Sequence, residues 1–257
     1  MEAMIESLPT HLLAHGAHLV SAPTATGDLL WLSQNIPADA LQGPKAIRGG
    51  VPIIGPWFAG LTNQNPSHGW ARISNWELSD NGAQARLAYD DWALQVTLTQ
   101  LENGFALRYE ATNRADHERP IQMAFHPYFS ISNIADIAVQ ELGEVDIYDR
   151  ENNEHVPHSG ELKIAGEFDR IITPAASRAV IVDQTAGRRI VIEATGHDSF
   201  VVWNPGSVLG EAMPEIGKQW SQFICVEPAL LGEGLLGVGV APSQTVILQM
   251  RVIAEAL

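Results

Sequence analysis

Cysteine is almost missing: Cys225 is the only one in 257 residues. A lone cysteine excludes an internal disulfide framework and a cysteine-based zinc site, and it fits a reducing compartment, so the cytoplasm is the expected location. Basic residues are scarce too, with 15 Lys and Arg against 30 Asp and Glu, and the formal net charge of −15 argues against nucleic acid or a membrane surface as partner. Any anionic ligand must then be held by a local cluster of bases. Long apolar runs are absent: no stretch approaches the roughly 18 residues of a membrane span. The opening MEAMIESLPTHLLAHG lacks the basic start and continuous apolar core of a signal peptide. Helical periodicity is scarce, and there is no internal repeat or low-complexity linker. GEGLLGVGV (232–240) is glycine-rich without the strand-then-helix setting of a phosphate loop, which removes a nucleotide role.

What is present is alternation. ALQVTLTQ (93–100) puts Leu94, Val96 and Leu98 on one side and Gln95, Thr97 and Thr99 on the other, the pattern of a half-buried strand. LENG (101–104) turns the chain and FALRYEAT (105–112) alternates again, predicting an antiparallel hairpin. AVIVDQTAGRRIVIEAT (179–195) and the final TVILQMRVIAEAL (245–257) repeat the grammar. Turn clusters at NPSHG (65–69), NRADHERP (113–120) and WNPGS (203–207) indicate many short strands. An all-β fold follows, a large antiparallel β-sandwich, expected as one domain over residues 1–257. EHVPHSGELKIAGEFDR (154–170) is expected to cross an edge of the sandwich as a loop.

Four segments are denser in polar, conformationally special residues than packing requires: IRGGVPIIGPWF (47–58), SHGWAR (67–72), AFHPYFSI (124–131) and FICVEPA (223–229). His126 precedes Pro127, which favours an extended or turn conformation, and its aromatic neighbours suit a proton donor near neutral pH. The competing reading is a core histidine bonded to a carbonyl. Glu227 follows a strongly apolar run where Pro228 is expected to end regular pairing. Partial burial would raise its pKa toward a useful general base; otherwise it is a strand-end carboxylate reaching water. Cys225, two residues earlier, has no activating base beside it in sequence and reads as a small buried hydrophobe. Arg48, ahead of Gly49 and Gly50, could be presented where backbone approaches a ligand, and with Arg72 it could clamp phosphate; structural ion pairs compete with that. Asp169 could accept sugar hydroxyls or pair with Arg170. His155 and His158, with Glu151 or Glu154, make an unpromising metal set because Pro157 breaks any helix that would align them.

In this order, the motifs resemble the aldose 1-epimerase superfamily, and more specifically its hexose-6-phosphate mutarotase branch. The likeness runs through GAHLVS (16–21), LLWLSQN (29–35), IRGGVPIIGPWF, HGWAR (68–72), HPYFSI (126–131), FDRI (168–171), VVWNPG (201–206), FICVEPA and VAPSQT (240–245), nearly the whole chain. The resemblance implies an isomerase with a β-sandwich fold and no organic cofactor, acting on a small-molecule sugar phosphate and expected to be a monomer. His126 would be the general acid and Glu227 the general base. His68 and Asp169 would hold sugar hydroxyls, Arg48 and Arg72 the 6-phosphate, and Trp203 part of the pocket wall. Two positions depart from the family pattern: Ser67, where a glutamine is common, and Gly55, where a larger residue is frequent. From other classes, a non-catalytic carbohydrate-binding sandwich would not need both His126 and Glu227. A glycoside hydrolase would need a second carboxyl group beside Glu227, and an unphosphorylated aldose is the alternative substrate.

Overall fold

The computed structural model describes residues 8–37, 39–143 and 145–257. Among these, two eight-stranded antiparallel sheets carry the architecture. The first runs from an edge strand, Glu154–His158, through Val145–Asp149, Phe168–Ile172 and Ser199–Asn204 to Phe223–Leu230. Phe223–Leu230 then pairs with two short strands, Met123–Phe125 and Tyr128–Ser130, and Ile53–Ile54 lies outside the former. The second sheet contains Arg178–Asp183, Arg188–Thr195, Thr245–Ala256, Gly104–Asn113 and Trp92–Leu101 in that spatial order. Both hairpins expected from alternation are present, the first with register Leu101↔Gly104 to Trp92↔Asn113. One α-helix, Gly206–Ala212, is found among the described residues, and no helix is long and apolar enough to cross a membrane.

Alternation decides which faces meet. Leu94, Val96, Leu98, Phe105, Leu107 and Tyr109 of the second sheet share one buried cluster with Phe125, Phe129, Phe168, Phe200, Val202, Ile224 and Val226 of the first. Each such large apolar side chain contributes about 1.5–3 kcal/mol when fully buried. The opposite face of the first sheet therefore carries the intervening residues: Ala124 and His126, Asp169 and Ile171, Val201 and Trp203, Cys225 and Glu227. Loops cover that face, packing Phe58 and Ala59 beside Ala124, Ile171 and Val201 on one side and Trp31 and Ile216 beside Tyr128 and Phe223 on the other.

Two expectations are corrected. Residues 154–158 form an edge strand instead of a loop, and Pro157, opposite Asp146, is tolerated because an edge strand leaves one side of its backbone unpaired. Pro228 does not end pairing, since Phe223–Leu230 continues through it. It lies opposite Phe200 on one side, and on the other it meets a gap between two ladders, where its missing N–H interrupts nothing.

Gly55 owes its identity to the core. A Cβ there would lie 2.5 Å from the Tyr109 hydroxyl and 3.6 Å from the ring carbon bearing it, and that buried hydroxyl has no hydrogen-bond partner among the described residues. Gly55→Ala should cost about 1–3 kcal/mol by overpacking. Tyr109→Phe should be near neutral, since no hydrogen bond is lost, and should restore most of the Gly55→Ala loss in the double variant. Denaturant midpoints test this, and an equal loss in both backgrounds would refute it.

Candidate active site

The ladders flanking the gap fix the central pair. Ala124 faces Ala229 on one side of it and Tyr128 faces Cys225 on the other. The two ladders share one antiparallel register, so counting in from either side places His126 opposite Glu227. Pro127 and Pro228 fall in the open interval, where neither can donate to a ladder. The His126 N–H instead donates to the Pro52 carbonyl at 3.1 Å.

His126 Nε2 sits 3.4 Å from Glu227 Oε1, and both side chains are almost fully buried. His126 Nδ1, Glu227 Oε2, Asp169 Oδ1 and Arg72 Nε are all buried with no hydrogen-bond partner among the described residues. Buried polar atoms are rarely left so, and four belonging to one group of neighbours mark a place built for polar ligand atoms. Burial, reinforced by Asp169, pushes the Glu227 carboxyl well up, against the opposing charges of Arg150 and Arg72. Burial, reinforced by His68, Arg72 and Arg48, pushes His126 well down. Both directions favour the neutral forms, a carboxylic acid beside a neutral imidazole.

Tyr128 stacks on His126 with ring centroids 5.0 Å apart and planes 8° from parallel. Its hydroxyl accepts from Arg48 Nη1 at 2.9 Å, and burial pushes the phenol up to about 12 despite that cation. Trp203 meets the His126 ring edge-on at 6.0 Å. His68 lies 5.5 Å from His126 between rings and packs edge-on against Phe58. Its Nδ1 accepts from the Ala59 N–H at 3.3 Å, which places the proton of the neutral ring on Nε2. Gly69 makes this turn possible: its φ is +72°, and a Cβ would lie 2.0 Å from the Gly55 carbonyl oxygen.

Arg48 and Arg72 are half-buried, and neither forms an ion pair with a carboxylate among the described residues. Arg72 Nη2 donates to the Ser67 carbonyl at 2.9 Å. The ion-pair reading of these arginines therefore fails. The Gly49–Gly50 expectation also changes, because a Cβ at Gly49 would strike the Trp31 carbonyl at 2.5 Å and one at Gly50 the Leu19 carbonyl at 2.4 Å. The close approach serves the protein's own backbone. The carbonyl of Gly49 is further held by His18 Nε2 at 2.7 Å.

Asp169 pairs with Arg150, Nη1 to Oδ2 at 2.8 Å, instead of with Arg170, which turns to Asp149 and Glu151. Successive strand residues point to opposite faces, so Arg170 cannot share Asp169's side. The same rule removes the His155/His158 metal set: three residues apart on a strand, they face opposite ways, and His155 stacks on Tyr148. Donor atoms of His126, Cys225 and Glu227 do lie within 4.8 Å of one another. Burial holds the Cys225 thiol far from ionisation, and the surrounding arginines oppose a cation there. At the start of 232–240, the Gly232 N–H and that of the preceding Leu231 already donate to Asp198, so neither is presented to a phosphate.

The chain matches the family "Aldose 1-epimerase" over residues 8–242. It belongs to that family. An Escherichia coli K12 protein named "Putative glucose-6-phosphate 1-epimerase" is 34% identical over 238 residues, covering 85% of this chain and 78% of that one. A Haemophilus influenzae relative of the same name is 31% identical, covering 84% and 78%. The crystal structure of a Salmonella typhimurium protein described as a "putative mutarotase" superposes with a TM-score of 0.83 at 26% identity, over 95% of this chain and 86% of that one. A Synechocystis protein at 19% identity and TM-score 0.78 shares the fold. As an aldose 1-epimerase family member, the chain is an isomerase of carbohydrate metabolism.

Two residues of this candidate site escape the sequence reading. Tyr128 was legible only as one of the aromatics around His126, since its contact with Arg48 spans 80 positions. Arg150 stands in YDREN, with nothing in sequence to connect it to Asp169, 19 residues away.

Burial, helped by Arg72, Arg150 and Arg48, lowers His68 to about 3 from 6.5. The unfolded chain then binds more protons at this group, so its contribution to stability is full above about pH 6.5 and lost as pH falls toward 3. His68→Asn keeps a residue that tolerates the φ of +65° found there. It should flatten the fall in melting temperature between pH 6.5 and pH 4 relative to wild type. Parallel wild-type and variant curves would refute the assignment.

Proposed function

We propose that this protein interconverts the α and β anomers of a hexose 6-phosphate, with glucose 6-phosphate as the preferred substrate. The observation that carries the phosphate is the pair of half-buried arginines, Arg48 and Arg72, without carboxylate partners beside His126 and Glu227. In a chain of net charge −15, these are the local bases an anionic sugar needs. The names of the relatives point the same way.

In the reaction, the Glu227 carboxylate takes the proton of the C1 hydroxyl. The C1–O5 bond breaks with its electron pair going to O5, which receives a proton from the His126 imidazolium. Glu227 is now protonated, His126 is neutral and the sugar is an open aldehyde. Rotation about C1–C2 turns the other carbonyl face toward O5. O5 attacks C1 and returns its proton to His126, while O1 regains its proton from Glu227. Asp169 Oδ1 and His68 Nε2–H hold hydroxyls, and Trp203 forms the wall. The protonation favoured in the buried pair, carboxylic acid and neutral imidazole, is that of the open-chain stage, so the site is matched to the least stable species on the path. Phosphate between the arginines offsets two of the charges that hold His126 down, which moves the imidazole toward the form that can donate.

Anomeric exchange NMR on glucose 6-phosphate, glucose and galactose tests the reading. Glu227→Gln and His126→Asn should each slow exchange by about 10²–10⁴-fold with folding retained. Arg48→Met and Arg72→Met should raise KM for the phosphosugar by about tenfold or more, as expected for a lost charged hydrogen bond, and should leave KM for any exchange of free glucose unchanged even where kcat shifts with the altered charge beside His126. Unchanged rates in Glu227→Gln would remove the mechanism. Wild-type exchange with free galactose alone would remove the phosphate assignment.

A further inference from the structure

The turn that follows Val145–Asp149 is pinned from several directions. Asp149 Oδ1 accepts from the N–H groups of Glu151 and Asn152, and Oδ2 accepts from Asn152 Nδ2. Arg170 also closes on Asp149 at 2.7 Å. These bonds leave the Asp149–Asn152 backbone little freedom, and they fix where Arg150 stands. The Arg150 N–H donates to the Asp169 carbonyl at 3.0 Å, and its guanidinium donates to Asp169 Oδ2 at 2.8 Å. One residue is thus tied to Asp169 through both main chain and side chain. Asp169 Oδ1 remains buried and, among the described residues, unpartnered, on the sheet face that carries Glu227.

We propose that Arg150 is a positioning residue for the anomer exchange: it clamps Asp169 by Oδ2 so that Oδ1 faces the sugar, and it offsets the Asp169 charge beside Glu227. This rests on the acid/base reading of the site. The second role follows from what surrounds Glu227. Asp169 and Arg150 act on it from the Phe168–Ile172 side and Arg72 from the covering loop, with His126 opposite and Cys225 two residues away on its own strand. Asp169 is the one carboxylate in that set. Uncompensated, its charge would hold Glu227 still further toward the acid form, which cannot accept the C1 proton. A guanidinium suits the task because it stays charged at every working pH while keeping one planar bond to the carboxylate.

The test compares wild type, Arg150→Met and Arg150→Lys, each also carrying Asp169→Asn, by anomeric exchange kinetics across pH. The substrate is whichever aldose wild type turns over, because Asp169 serves hydroxyls and not the phosphate. Arg150→Met should raise KM about tenfold, the effect of disturbing a charge-assisted hydrogen bond, and should move the acidic limb of kcat/KM to higher pH. Arg150→Lys should return that limb toward wild type, since it keeps the charge, while recovering KM only in part. In the Asp169→Asn background, Arg150→Met should add little. Three outcomes overturn the proposal: a Met variant with wild-type KM and pH profile, a Lys variant whose acidic limb matches that of Met, or a Met loss of the same size in the Asp169→Asn background. Should Arg150→Met fail to fold, Arg150→Gln is judged by the same criteria. Glu227→Gln run alongside separates the two readings, because equal rates for it and wild type would sink the acid/base mechanism itself, whereas the Arg150 variants are read against wild type alone.

Discussion

A carboxyl group and an imidazole face each other across neighbouring strands, 3.4 Å apart and shut off from water. Removing either charge from water costs several kcal/mol unless it is paired or neutralised, and one proton between the two in their neutral forms would avoid that cost. Most of the surrounding structure sets where that proton resides. Arg48, Arg72 and His68 bear on the imidazole; Asp169, Arg150 and Arg72 bear on the carboxyl. A reversible proton exchange needs the two placements to be close in energy, and this balance of opposed charges is the means the site has of bringing them together.

The geometry depends on sheet register more than on loops. His126 and Glu227 meet because the ladders Ala124↔Ala229 and Tyr128↔Cys225 continue one another across a gap that carries two prolines. A one-residue slip would turn His126 into the core and Phe125 into the site, since strand side chains alternate faces. Phe125, Phe129, Ile224 and Val226, all in the core between the sheets, fix the register by what they bury. The apolar face of these strands therefore aligns the chemistry on the other face.

Much of this was legible in the sequence, for identifiable reasons. Alternation in 93–112 and 179–195 revealed strands because one face of each is buried and the other is wet. In FICVEPA the alternation is hidden, because both faces are covered, one by the core and the other by the site's own apolar clusters. That is why Glu227 looked like a strand end when it lies within a strand. Pro228 misled for a related reason: a proline breaks pairing only where a partner needs its N–H, and a gap on one side cannot be seen from one chain segment. Asp169 and Arg170 are adjacent in sequence yet on opposite faces, so the pairing that adjacency suggested gave way to one with Arg150 across 19 residues. The identities of the key side chains were readable; their partners, set by register, were not.

To bind the proposed phosphosugar, an acidic protein must separate local field from overall charge. Fifteen bases against thirty acids would repel a phosphosugar at distances within the screening length of about 8–10 Å, so capture depends on groups met at contact. Two exposed arginines are spent on surface carboxylates, Arg189 on Glu255 and Arg251 on Glu193, whereas Arg48 and Arg72 are half-buried and form no such pair among the described residues. That half-burial carries a cost in desolvation, visible in the lowered pKa of Arg72. An anion bound between the two would recover that cost at contact, and this would favour the phosphosugar over the neutral aldose even though the same acid/base pair serves both.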